Sequence, residues 1–310
     1  GPRRDTRAGR SRPLFRWRFA EDYTGGFLLM EDGPRPFHLA MAGLYCLLCL
    51  VGLASNLLVL YLLGRLNRRA QCAINVFVVN LALADLQFLL VLPFWAAEAI
   101  LDFNWPFGGH MCKILVFVTS LNMYTSVFFL TAMSVSRYWT VASALKPSGN
   151  PCGLAWAKRA SLALWLLAGL ASAPSTAFAT ALREFEWDLC LLRFPRGIYW
   201  LAFHQAQKTL VAFLLPLILI CVCYALLLVF LRQRHLRAVG GRGRSSEVTR
   251  SVMVIIAAFF LCWLPHHVIG SWGILVKLEL VHWSRSFHLA HVYAHPVAVL
   301  LAHGNSCANP

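Results

Sequence analysis

The sequence predicts an all-α membrane protein, a bundle of seven transmembrane helices with its N-terminus outside the cell. Three observations carry that expectation. The 310-residue chain is 59% hydrophobic and only 13% charged, a balance suited to a bilayer and not to water. Its apolar residues fall in seven runs, each long enough to supply the ~20 helical residues that cross a ~30 Å hydrocarbon core. Its net charge of +15 gathers on alternate connections, which sets orientation.

The spans run approximately from Phe37 to Leu63, Ala73 to Ile100, Lys113 to Val141, Ala160 to Thr180, Tyr199 to Leu231, Val248 to Val276, and Phe287 to the end. Strands of a membrane barrel would be alternating segments of ~10 residues, so these runs read as helices. The first, third and fifth connections collect Arg65, Arg68, Arg69, Lys146, Lys158, Arg159, Arg232, Arg234, Arg237, Arg242, Arg244 and Arg250 against one acid, Glu247. That side is cytoplasmic by the positive-inside rule. The opposite connections mix signs, with Asp102, Glu184, Glu186, Asp188 and Glu279 beside Arg183, Arg193, Arg196 and Arg285. Residues 1–35 form an arginine-rich extracellular tail, disordered in this reading, and residues 36–310 the membrane domain, which stops within the seventh helix. With no initiator methionine, the chain reads as a fragment at its front.

Cys112, at the outer end of the third span, and Cys190, in the loop after the fourth, face an oxidising exterior, and a disulfide between them is expected. Cys46, Cys49, Cys221, Cys223, Cys262 and Cys307 lie within spans and read as small apolar fillers. Cys72 and Cys152 read as free thiols on the reducing side.

Polar groups inside spans cost on the order of 3 kcal/mol each and mark function. Asn56 and Asp85 sit mid-span, with Asn80 nearby. Asn122 and Ser126 lie one turn apart on the third helix, and Asn305, Ser306 and Asn309 crowd the end of the seventh. This set suits a small hydrated cation such as sodium, or a proton; interhelical hydrogen bonding without an ion is the alternative. Pro93, Pro174, Pro216, Pro265, Pro296 and Pro310 each remove a backbone bond and bend a helix, making both a cavity and a hinge. In FFLCWLPHH, Trp263 lies two residues before Pro265. Metalloprotease, nucleophile-elbow and Walker signatures are absent, GGRGRS reads as a flexible cytoplasmic tether, and no nucleic-acid partner is implied.

Asn56, LALAD around Asp85, Cys112 with Cys190, SRY at Ser136 to Tyr138, Trp165, Pro216 with Tyr224, CWLP at Cys262 to Pro265, and Asn309 with Pro310 resemble the ordered signposts of rhodopsin-type G protein-coupled receptors. More narrowly, LPFWAAEAILDFNWPFG, TSLNMYTSVFFLTAMSV, RYWTVASALK, LCLLRFP, SWGILVK and LAHGNSCANP are similar to the relaxin-3 type of relaxin family peptide receptors. The resemblance implies a relaxin-3-like or insulin-like peptide ligand, and an inhibitory G protein that lowers cyclic AMP. It implies that Arg137, with Tyr138 beside it, meets the G protein when the sixth helix moves outward, and that Tyr224, Trp263 and Pro265 serve that movement. Most relatives carry an acid where Ser136 stands. Its loss either loosens the resting state or is compensated by packing, and the similar subfamily, which also lacks the acid, favours compensation.

At the outer end, Trp95, Glu98 and Asp102 at i, i+3 and i+7 share one helix face. Two carboxylates and an indole suit a basic peptide with an aromatic end. The resemblance adds Asp188, Lys208 and Trp272 as pocket positions, with Lys208 suited to a terminal carboxylate. Trp105 is expected to pack the first outer loop. His288, His291 and His295 share a face of the seventh helix. That spacing suits zinc, but no carboxylate or cysteine completes a site on this helix, so a polar pocket wall is expected; similar receptors carry an apolar aromatic where His295 stands. An ion-coupled transporter also fits an intramembrane acid and bent helices, but no internal repeat supports it. A non-signalling relic ending within the seventh helix is the remaining alternative.

Overall fold

A computed structural model describes residues 35–66, 73–102, 104–143, 153–184, 187–194, 198–235 and 244–308. The tail, Arg68, Arg69, Cys72, Lys146, Cys152, Glu186, Arg196, Arg237, Arg242, Asn309 and Pro310 lie outside them. Among the described residues six helices are long and apolar enough to cross a membrane. The first span is α1 (Arg35–Leu66), and the second is α2 (Ala73–Leu89) followed by α3 (Leu92–Ile100). The third is α4 (Gly108–Ser143) and the fourth α5 (Leu154–Phe178). A hairpin, β1 (Ala179–Glu184) with β2 (Trp187–Leu192), precedes the fifth span, α6 (Ile198–Thr209) and α7 (Leu215–His235). The sixth is α8 (Arg244–Lys277), and the seventh joins α9 (Arg285–Leu289) to α10 (His295–Ala308).

The expected spans agree with these to within a few residues, except that the fourth gives way to strand at Ala179. The hairpin replaces what the sequence reads as loop. It pairs Ala181 with Cys190 and Arg183 with Asp188.

Prolines cause the interruptions. Pro93 has no N–H for the carbonyl of Leu89 four residues back, and that carbonyl accepts the Cys49 thiol at 3.3 Å instead. Before Pro216 and Pro296 the fifth and seventh helices widen into single π-turns, Leu210–Leu214 and Ala290–Ala294, where the N–H of Leu215 bonds to Leu210 and that of His295 to Ala290. Such turns recur at functional sites.

The third span is the hub, with 61% of its apolar window buried against 17% for the first. It packs on the second, fourth and fifth spans and on β1, while the seventh closes against the first and sixth. Its inner surface joins Phe77, Tyr124, Phe129, Phe213, Phe259 and Trp263 in one core. Aromatics mark both edges as interfacial residues do: Trp139 and Trp156 are exposed at the cytoplasmic side, and Tyr199, Trp200 and Trp283 at the outer side. Arg65 lies over the Tyr61 ring at 5.1 Å.

At Gly52 the first span packs tightly against its neighbours. A Cβ there would stand 2.6 Å from Leu89 Cδ2 and 3.0 Å from Cys307 Sγ, and Leu89 is fully buried. Gly52→Ala is therefore expected to cost about 1–3 kcal/mol, read as a lower Tm of the purified protein. Gly43→Ala, where nothing lies within 4 Å, should leave Tm unchanged.

Candidate functional site

Beneath the hairpin lies a cavity of about 300 Å³ walled by every span except the fourth, a size typical of ligand sites. The second span contributes Trp95 and Glu98, the third Thr119, Ser120 and Met123, and the fifth Lys208. Trp263 and His266 come from the sixth, His295 and His303 from the seventh, and β2 covers it with Cys190, Leu191 and Leu192. Cys112 and Cys190 are disulfide-bonded with Cα atoms 5.5 Å apart, which ties this cover to the hub helix.

Glu98 is 3% exposed, and its Oε1 is buried with no hydrogen-bond partner; the Trp95 indole N–H is in the same position. No hydrogen bond or ion pair holds the Lys208 ammonium among the described residues. Buried polar groups in a folded protein are almost always satisfied, and leaving one unsatisfied costs about 1–3 kcal/mol, more for a charge. An acid and a base on separate walls, both without protein partners, suit a ligand that carries both signs.

The remaining outer positions are arranged otherwise. The helical face stops at Ile100, and Asp102 has left it with φ of 52°; its carboxylate meets His38 Nδ1 at 3.1 Å. Asp188 does not line the cavity. Its carbonyl accepts the Trp105 N–H at 2.7 Å, and its own N–H donates to Asn104 Oδ1. Trp105 is buried, donates from Nε1 to the Gly108 carbonyl, and packs on Trp95 and Phe107, the structural role expected of it. Trp272 sits edge-on to Phe287 outside the cavity wall.

The histidines of the seventh span diverge. His288 lies near Trp283, His291 on Phe287, and His295 between His291 and His266. His266 and His303 also line the cavity. The Pro265-His266 pair was visible, but its partners belong to another helix.

At mid-depth the intramembrane polar residues meet. Asn122 Nδ2 donates to Asp85 Oδ1 at 2.9 Å, Ser306 Oγ donates to Asn122 Oδ1 at 3.3 Å, and Asn56 Nδ2 donates to the Ser306 carbonyl at 2.9 Å. Asn305 is buried beside them in sequence, and the buried Ser126 Oγ has no hydrogen-bond partner among the described residues. Asn309 lies outside the described residues. A second network ties the fourth span to the second: Trp165 Nε1 donates to Asn80 Oδ1 at 2.9 Å.

At the cavity floor an aromatic cluster joins the sixth span to the fifth. Trp263 packs on Phe259, Phe259 on Phe260, and Phe260 on Phe213 within the π-turn of the fifth span. Pro265 stands inside α8 next to that cluster. At the cytoplasmic end Arg137 is half-buried, Ser136 is buried, and the buried Tyr224 neighbours Arg137 and Ser134.

A ligand-sized outer cavity, a polar centre and an arginine at the inner end, joined by bent helices, are the arrangement a receptor needs. Residues 55–310 match the family described as 7 transmembrane receptor (rhodopsin family); the chain belongs to that family and is a multi-pass protein of the plasma membrane. It is 46% identical to the human relaxin-3 receptor 1, with 86% of this chain and 64% of that protein covered, and 46% identical to the human relaxin-3 receptor 2, covering 97% and 80%. The rat somatostatin receptor type 5 is 34% identical over 86% of this chain and 71% of its own length. The chain thus spans just under two thirds of relaxin-3 receptor 1. Receptors of this family are not enzymes.

Proposed function

We propose that the chain is a receptor for a two-chain relaxin- or insulin-like peptide and signals through an inhibitory heterotrimeric G protein to lower cyclic AMP. The observation that carries this is the presence in one cavity of Glu98, whose Oε1 is buried without a hydrogen-bond partner, and Lys208 on another wall. A guanidinium of a basic peptide satisfies Glu98, the terminal carboxylate satisfies Lys208, and an aromatic end fills the space beside Trp95 and Trp263. Asp102, Asp188 and Trp272 shape or flank the entrance, and Asp102 offers a more exposed acid. The names of the relaxin-3 receptors support the ligand class. A dose-response panel of two-chain peptides in cells reporting cyclic AMP tests it. A fall in cyclic AMP blocked by ADP-ribosylation of the inhibitory G protein is expected, and silence from every peptide at a surface-expressed receptor would end the reading.

Binding between the outward-facing spans repositions Trp263 and the sixth helix about Pro265, and the aromatic cluster carries the change to Tyr224 and Arg137. Arg137 and Tyr138 then face the G protein. Ser136 leaves Arg137 without an adjacent acid, and burial of Ser136 with Tyr224 nearby supplies the compensating packing. Ser136→Asp should therefore leave ligand-free nucleotide exchange unchanged; a marked fall would show that the neutral residue loosens the resting state.

Asp85, Asn122, Ser126 and Asn305 offer a carboxylate and neutral oxygens of the kind sodium takes, and the unpartnered Ser126 hydroxyl fits that use. Asn309 completes this reading. Sodium there would supply a positive charge to Asp85 in the resting bundle. Raising sodium against an equal concentration of a bulky organic cation should weaken peptide-stimulated exchange, and Asp85→Asn should abolish that sensitivity.

A further inference from the structure

We infer that His266 and His295 form a binding site for a zinc-class transition-metal dication, bridging the sixth and seventh spans at the inner wall of the cavity. The two residues flank the two bends: His266 follows Pro265, and His295 precedes Pro296. Their ring centres are 5.5 Å apart with an interplanar angle of 34°. Rings bound through nitrogens at about 2.0–2.1 Å to one tetrahedral ion have centres roughly 5–6 Å apart, and the separation of this pair falls in that range. Both Nδ1 atoms are buried with no hydrogen-bond partner, which leaves a lone pair or an N–H on each unspent.

The parallel stack of His291 on His295, at 5.8 Å and 3°, buttresses the His295 ring and does not aim a third nitrogen at the same ion. Among the described residues no three His, Cys, Asp or Glu side chains are grouped for a metal. The pair therefore gives two ligands, and water in the cavity gives the others. Lys208 lies near both rings and opposes a dication there, while Glu98 lines the same cavity. The ion staples the sixth helix to the seventh across the segment that must hinge. This goes beyond peptide recognition and does not depend on it.

The full chain in lipid nanodiscs, without peptide or G protein, is titrated with Co²⁺ and then with Zn²⁺. One equivalent of Co²⁺ with visible d–d bands is expected, displaced by Zn²⁺, and Zn²⁺ should raise Tm by several degrees. His266→Ala and His295→Phe should each weaken binding by ~10-fold or more, and Lys208→Gln should tighten it. Absence of the Co²⁺ bands in the unaltered protein at large molar excess overturns the site, as does unchanged affinity in the double variant. Because no peptide is present, failure here leaves the receptor reading standing.

Discussion

Lys208→Ala should raise the peptide concentration for half-maximal signalling by about 30-fold or more, because truncating one partner of a desolvated charge pair costs about 2–5 kcal/mol. Glu98→Gln should do the same. Glu98 Oε1 is buried without a hydrogen-bond partner, and Lys208 lines the same cavity with no hydrogen bond or ion pair among the described residues, so the expected partner of each lies on the ligand. A peptide with an amidated C-terminus separates the two effects: it should be weak on the unaltered receptor, lose little more on Lys208→Ala, and lose fully on Glu98→Gln. Asp102→Asn should shift potency much less, since that carboxylate is 38% exposed and already meets His38. Equal losses at Asp102 and Glu98 would show that the peptide's basic groups stay at the entrance.

Cys112→Ser should destabilise the protein by about 4 kcal/mol, the loop-entropy scale for a cross-link of this span, across a sequence separation of 78 residues. The loss also frees the cover. Leu191 and Leu192 line the cavity only while Cys190 holds β2 to the outer end of the third span. Lower Tm and loss of peptide binding are expected together. The Cys112→Ser, Cys190→Ser double variant should match either single variant. Recovery in the double would assign the defect to a stray thiol and not to the missing bond.

The spans were legible because a bilayer demands long apolar runs, and few other structures do. The polar centre was legible for a related reason. Asn56, Asp85, Asn122 and Ser306 are costly in apolar runs, so their meeting follows once the runs are stacked, and the structure shows which bonds join them. Cys112 and Cys190 were paired from compartment alone. The hairpin was not foreseen, because ATALRE and WDLCLL are short and their pairing with each other is non-local. Asp102 was placed on a helical face by continuing the 3.6-residue period past Ile100, where the helix has ended and the backbone has turned left-handed. His266 is not legible in the sequence, because its significance lies in a 5.5 Å separation from a ring on another helix. No spacing within one segment encodes that distance. Trp272 and Asp188 came with the family resemblance and occupy flanking positions, one against Phe287 and the other holding Trp105.

Peptide-stimulated nucleotide exchange on an inhibitory heterotrimer, measured with receptor in nanodiscs beside direct peptide binding, is the decisive measurement. Relaxin-like peptide should accelerate exchange on the unaltered receptor, and Arg137→Ala should bind the peptide as well yet leave exchange at its basal rate. A receptor that binds the peptide without accelerating exchange, or an Arg137→Ala variant that accelerates it fully, would contradict the coupling of the Glu98 and Lys208 cavity to the cytoplasmic arginine.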